Sequence, residues 1–310
     1  QQFNVTSYGA MAVAITTLEA FAGMWINTFI VSVICMAWIK KKTLNSNEKI
    51  LLFLGCSRFW YLCIAWVYSF LSVIYPYSLY VHPTLQLVVS VYVFLNYFNF
   101  CVSACLCVFY CIKIGNFRNS FFIYLKVKID RIVPWLLLGS MLLALVICIL
   151  GYDTVERLPS KNDSSTCRGN FWEESIKMEE HLFNAYFLTG LGYTASFIAV
   201  IVSALLLLFS LWRHKRNMQT NSTKDLSMDA HIKAMKSILS FLVMYSINFI
   251  CLIMTIIYSA ENENVMMFFV YVYLHAFPGA HSLILIFSNP KLEKTLLSIL
   301  PCVKCKVCMK

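Results

Sequence analysis

SVYVFLNYFNFCVSACLCVFYCIKIGNFRNSFFIYLKVKIDR, residues 90–131, decides the fold. Its first half is apolar enough to span a bilayer, yet it carries Tyr92, Asn96, Asn99 and Ser103. Spacings of four, three and four put these residues on one helical face. Lipid offers such a stripe no hydrogen-bond partner, so it must look inward, at protein or at water. The second half switches to Lys113, Arg118, Lys126, Lys128 and Arg131, a basic cytoplasmic signature. A polar interior on one side of the membrane and a basic face on the other is the layout of a receptor.

The rest of the chain is consistent with that layout. Of its 310 residues 60% are hydrophobic and only 13% charged, and the mean hydropathy is positive. A soluble globular chain is about half apolar and a quarter charged. An all-α integral membrane protein is therefore expected. Apolar runs of spanning length fall at about 10–39, 50–74, 86–112, 132–151, 184–212, 237–259 and 265–287. They make a seven-helix receptor domain over residues 1–287, followed by a short amphipathic helix and tail over 288–310. Residues 1–9 are polar and the first apolar segment is about as long as a full span, so no cleavable signal peptide is expected. Gln1 in place of Met suggests that the natural start is missing. An odd number of dissimilar spans argues against a transporter built from two repeats.

Charge placement sets the orientation. Segments 39–49, 113–131, 213–236 and 288–310 hold 20 of the 25 Lys and Arg, whereas the alternate segments hold 9 of the 15 acids. The basic segments read as cytoplasmic, which puts the amino terminus outside. Topology thus accounts for the net charge of +10, and nucleic acid is not called for. The sequons at Asn4 and Asn162 fall outside, and Asn162 is the expected glycosylation site because Asn4 lies so near the terminus; the sequon at Asn221 falls in a cytoplasmic loop. Two long loops stand out. The outer one, 152–183, is acidic and reads as a lid. The inner one, 213–236, is basic, with STKDLSMDAH suggesting a short break between two helical extensions.

Most of the thirteen cysteines lie in apolar segments. None lies near the outer end of the third span, so a disulfide from there to the outer loop is unavailable; a Cys148–Cys167 bridge stays open. After Pro290, Leu292, Leu296, Leu297 and Leu300 share one side of the tail, which ends in PCVKCKVCMK. Cys302, Cys305 and Cys308 among lysines are candidates for palmitoylation. A metal site is the weaker reading, since no His accompanies them; neither metal nor cofactor is expected.

Polar groups inside the spans carry the candidate chemistry. Arg58 is the most costly, about +2.5 to +3.5 kcal/mol at a helix centre. Asn27 in the first span and Ser282 in the seventh are its candidate partners, in a network tying helices one, two and seven. A ligand counter-ion at Arg58 is the minority reading, because it lies near the cytoplasmic end. Tyr245, Asn248 and Leu252 share a face of the sixth span, and Tyr271, His275, Pro278 and Ser282 a face of the seventh. With Tyr92, Asn96 and Asn99 they can line one aromatic cavity, the usual character of a ligand pocket. Each of these alone is as readily an interhelical hydrogen bond. Glu19 faces either the pocket or the headgroups. Signatures of enzymes are missing: no GxSG, HExxH, Walker loop or GxGxxG occurs. No filter-like loop or charged ring suggests a channel.

Several longer motifs resemble the vertebrate bitter taste receptors, the type-two taste receptors, which are G-protein-coupled. Leu106, Phe109, Tyr110, Lys113, Ile114, Asn116 and Phe117 fit its LxxFYxxKIxNF. The fifth span ends LLLLFSLWRHKRNMQ, similar through Phe209, Ser210, Leu211, Trp212, His214, Met218 and Gln219. KSILSFLVMY and HSLILIFSNPKL fit helices six and seven, and Asn27 with Ser57-Arg58 fit helices one and two. The same residues speak against rhodopsin-like and odorant receptors, for FYCIKI stands in place of DRY and neither CWxP nor NPxxY is present. A chemosensory receptor of another class, or a channel or transporter, is the remaining alternative.

The resemblance implies a seven-helix G-protein-coupled receptor at the plasma membrane, with an outward-facing pocket for a small, mostly apolar bitter compound. By it, Tyr92, Asn96 and Tyr271 take the positions of ligand contacts and Tyr245 that of a switch tyrosine. Tyr110, Lys113, Lys128, His214 and Lys233 would face a heterotrimeric G protein, gustducin or another Gi-type. The chain departs from the family at Cys101–Ala104, CVSA for WLAT, and at Ser196, where the family has a proline. Tyr92 stands for a tryptophan, and Tyr271 for an acid or glutamine. The pocket is then expected to hold fewer charges and more phenols.

Overall fold

A chain with this much apolar sequence cannot leave backbone polar groups unpaired in lipid, and helices satisfy them internally. The computed structural model describes residues 7–75, 83–117, 119–156, 171–220, 225–257 and 265–308. Among them there are eight helices and no strand: α1 (Ser7–Lys41), α2 (Ser46–Ile74), α3 (Thr84–Ile114), α4 (Ser120–Glu156), α5 (Phe171–Thr220), α6 (Asp225–Ile257), α7 (Val265–Ser288) and α8 (Pro290–Cys308). The first seven are long and apolar enough to cross a membrane. Asn162 and Cys167 lie outside the described residues, as does the stretch 221–224 within STKDLSMDAH.

The outer loop expected from the sequence is partly helix. Residues 152–156 continue α4, and 171–183 belong to the first turns of α5, a helix of 50 residues. At the other end α5 runs to Thr220 and α6 starts at Asp225, so both extend beyond their apolar cores. Hydropathy marks where a helix enters lipid and says nothing about where its hydrogen bonding stops.

The local signals at the basic end are conventional. Lys42 adopts φ 56°, and its N–H closes on the Trp38 carbonyl at 2.7 Å to end α1. Three residues on, the Asn45 backbone N–H donates to the Glu48 carboxylate at 3.1 Å at the start of α2. Pro134 sits inside α4, which continues unbroken.

α3 is the axis of the bundle. It packs against α2, α4 and α5 and buries residues along its whole length, from Ser90 to Ile112. Small residues set the closest approaches. Gly23 of α1 and Gly279 of α7 meet backbone to backbone, and a Cβ on Gly279 would lie 3.2 Å from the Gly23 Cα. On α5, a Cβ at Gly192 would fall inside the Tyr97 phenol of α3. Outward faces are apolar: Trp25 is 75%, Trp135 72% and Val127 78% exposed. Such a belt is a lipid surface. α8 turns Leu292 and Leu296 to the core while Leu297 is exposed, so the leucines of the tail do not all share the inner side.

Candidate ligand-binding site

A cavity of about 560 Å³ opens among the helices at the end opposite the basic one. All seven spanning helices reach it. Of the residues the sequence assigned to ligand binding, Tyr92 and Asn96 of α3 and Tyr271 and His275 of α7 line it. Asn99, Tyr245, Asn248 and Leu252 do not. The α3 stripe is continuous around the helix axis but divides along it: its outer half faces the cavity and its inner half packs against α2. Asn99 accepts a hydrogen bond from the Ser57 hydroxyl and is buried. On α6 the lining falls to Thr255 and Ile256, three and four residues past Leu252, or about 5 Å farther along the axis.

Residues the sequence reading passed over supply much of the polar wall. Tyr68, Ser69 and Ser72 of α2 and Tyr186, Thr189 and Tyr193 of α5 all line the cavity. Each set repeats at spacings of one, three or four, and that periodicity was the available signal. Tyr92 is held from behind, its phenol 3.2 Å from that of Tyr61 and the two ring centroids 5.3 Å apart. His275 is held twice: Nδ1 lies 2.8 Å from the Tyr271 carbonyl and Nε2 3.4 Å from the Ser69 hydroxyl. A carbonyl only accepts, so Nδ1 donates to Tyr271. Asn96 makes no hydrogen bond among the described residues, so its amide is one of the polar groups of the wall left for a ligand.

Beneath the cavity the rings continue. Tyr193 meets Phe100 at 5.1 Å, Phe100 stacks on Tyr245 at 4.4 Å, Tyr245 lies 5.4 Å from Phe241, and Phe241 4.7 Å from His281. The Tyr245 phenol donates to the Phe100 carbonyl at 3.1 Å, which fixes α6 against α3.

The ladder ends on Arg58. This guanidinium is fully buried and has no carboxylate partner among the described residues. It donates to Ser282 at 2.8 Å, to Ser103 at 3.1 Å and to His281 Nδ1. Ser282 in turn donates to Asn27 at 2.8 Å, and Asn27 to the Gly23 carbonyl at 2.8 Å. Asn27 therefore reaches Arg58 through Ser282. Ser103, the innermost residue of the α3 stripe, and His281 complete a network that joins α1, α2, α3 and α7.

The residues assigned to the basic end are placed there, several of them already engaged. Lys113 pairs with Asp130 at 2.7 Å, and the Tyr110 phenol donates to Asn47 at 3.1 Å. Lys128 is exposed and lies over Tyr124; His214 is exposed on α5. Lys233 of α6 bonds both oxygens of Glu293 on α8 at 2.7 Å, and Lys291 of α8 bonds Glu48 of α2 at 2.6 Å. Cys302, Cys305 and Cys308 lie on the last turns of α8, where only the backbone is described.

Comparison with known proteins agrees with this architecture. The family described as taste receptor protein (TAS2R) matches residues 5–304. The chain is 32% identical to taste receptor type 2 member 40 of Gallus gallus, over 94% of this chain and 95% of that protein. It is 32% identical to member 7 of Papio hamadryas, over 91% and 90%. To member 9 of Homo sapiens it is 31% identical, over 93% and 92%.

Proposed function

Since the chain belongs to the taste receptor protein (TAS2R) family, a family of membrane receptors and not of enzymes, we propose that the cavity binds small, mostly apolar bitter compounds. Binding there would drive gustducin or another Gi-type heterotrimeric G protein at the basic, cytoplasmic end. The observation that carries this reading is the cavity itself. Its volume of about 560 Å³ is within the range of small-molecule sites, about 300–1,000 Å³. Its walls are aromatic and aliphatic, with a few polar groups in fixed positions and the Asn96 amide unengaged.

An agonist acts by binding the active arrangement better than the resting one. A compound seated against Tyr193 would bear on the ring ladder, whose next members are Phe100 and Tyr245. Repacking of Tyr245 would release α6 from the Phe100 carbonyl and move the cytoplasmic end of α6 away from α8.

Asn96→Ala tests the site. Loss of one ligand hydrogen bond, about 1 kcal/mol, should raise the half-maximal agonist concentration about fivefold. The measurement is a calcium response in cells carrying a chimeric G protein, with receptor counted at the surface. A variant that reaches the surface normally and responds at the wild-type concentration places ligand elsewhere. A second expectation concerns the Lys233–Glu293 pair. Both groups are partly exposed, so the pair contributes at most about 1 kcal/mol. Glu293→Gln should raise the agonist-free signal by no more than about fivefold, read as basal G-protein activation per surface receptor. An unchanged basal signal would show that the pair does not restrain α6.

A further inference from the structure

At the basic end a second cavity, of about 670 Å³, lies between the first turns of α2, the last turn of α3 and α4. It is lined by the apolar Leu44, Phe109 and Ile114 and by the polar Ser46, Asn47 and Tyr110. Three charged side chains line it: Lys49, Lys113 and Asp130. Asp130 is engaged by Lys113, but both groups are about half exposed, at 44% and 52%, so that pair exchanges readily. Lys49 is half-buried and forms no ion pair among the described residues. Asp130 also attracts Lys49 and is bonded by Ser46, so one carboxylate faces two ammonium groups and the lining keeps a net positive charge. The chemistry that completes such a lining is a phosphate, because it accepts hydrogen bonds from both ammonium groups.

We infer that this cavity holds the headgroup of a phosphoinositide from the cytoplasmic leaflet, a site distinct from the agonist cavity at the opposite end. Its position favours a lipid over a soluble phosphate. It lies where α2 begins and α3 ends, beside the third turn of α4, at the basic end of the bundle, and basic pockets between helices on the cytoplasmic side take inositol phospholipids. The volume admits a phosphorylated inositol ring. Ile114, which lines it and is exposed, offers the start of an apolar path for the glycerol backbone. The inference rests on the proposed orientation, with the basic end cytoplasmic. It does not depend on which compound activates the receptor.

The test uses the full receptor in nanodiscs of phosphatidylcholine and follows bound lipid by native mass spectrometry. Phosphatidylinositol 4,5-bisphosphate added to the bilayer is expected to give a saturable one-to-one adduct, and phosphatidylserine at equal charge a weaker one. Lys49→Gln should lower the adduct several-fold, and Lys49→Gln with Lys113→Gln should remove it. Lys128→Gln, on the exposed face of α4, serves as the control and should leave it unchanged. Receptor monodispersity is measured in parallel; if the double variant does not fold, the single Lys49→Gln variant decides. Equal adducts in wild type and Lys49→Gln overturn the proposal, as does complete displacement by water-soluble inositol trisphosphate at stoichiometric concentration. The readout needs neither agonist nor G protein, so its failure and a failure of the receptor reading are told apart.

Discussion

Arg58→Ala is expected to leave little receptor at the cell surface. The substitution strips Ser103, Ser282 and His281 of the donor they share. Each buried group left unpaired costs about 1–3 kcal/mol, and the guanidinium also fills the space between α2, α3 and α7. A total on the order of 3–5 kcal/mol, typical of a broken buried network, is a large part of a stability of about 5–15 kcal/mol. Lysine should rescue only in part, because one ammonium cannot present the two nitrogens that reach Ser282 on one side and Ser103 on the other. Methionine is the informative variant. It fills similar volume and removes a buried charge that has no carboxylate partner among the described residues, so it should be delivered better than alanine. Surface labelling of epitope-tagged receptor checks the order arginine, then methionine and lysine, then alanine. Wild-type delivery of the alanine variant would show that the network is dispensable for folding.

Gly279→Val should be the other severe change. The first added carbon already lies 3.2 Å from the Gly23 Cα, a backbone atom that cannot rotate away. Two further methyl carbons force α1 and α7 apart, and overpacking of this kind costs about 1–3 kcal/mol or more. The effect should spread. Asn27 is one turn from Gly23 and Ser282 nearly one turn from Gly279, so separation there stretches the 2.8 Å bond that links α1 to Arg58. Asn27→Ala combined with Gly279→Val should therefore cost less than the sum of the two, which thermal unfolding of purified receptor can show. Gly23→Ala should be milder, since its added carbon meets a Leu62 methyl, which can rotate aside. Equal losses from Gly23→Ala and Gly279→Val would mean that the backbone contact is not what matters.

Both predictions rest on contacts that a sequence shows only in part. Seven apolar runs and the stripe on α3 were legible because lipid imposes a strict rule on length and polarity. The stripe gave the direction in which Tyr92, Asn96, Asn99 and Ser103 point. It could not give depth, because the cavity ends where Ser57 and Arg58 of α2 reach α3, and that level depends on how the helices are offset. The same offset separates Tyr245, Asn248 and Leu252 from the cavity although their face was read correctly as inward. A buried arginine announces a network and the polar face of α7 points to Ser282, whereas nothing in the local sequence sets His281 apart from its neighbours. At the basic end the positions of Lys113 and Lys233 were visible, but their partners Asp130 and Glu293 lie 17 and 60 residues away. No local pattern connects them.

The contact between Gly192 and Tyr97 limits how the cavity can change shape. A turn of α5 about its own axis by one residue, about 100°, would carry the side chain of Leu191 or Tyr193 into a gap that admits only a hydrogen. The helix is thus keyed against rotation yet remains able to tilt. Tyr186, Thr189 and Tyr193 must then advance or retreat together, like studs on one plate. Compounds of unequal width would be met by the same three groups in the same order, at a different spacing from the opposite wall.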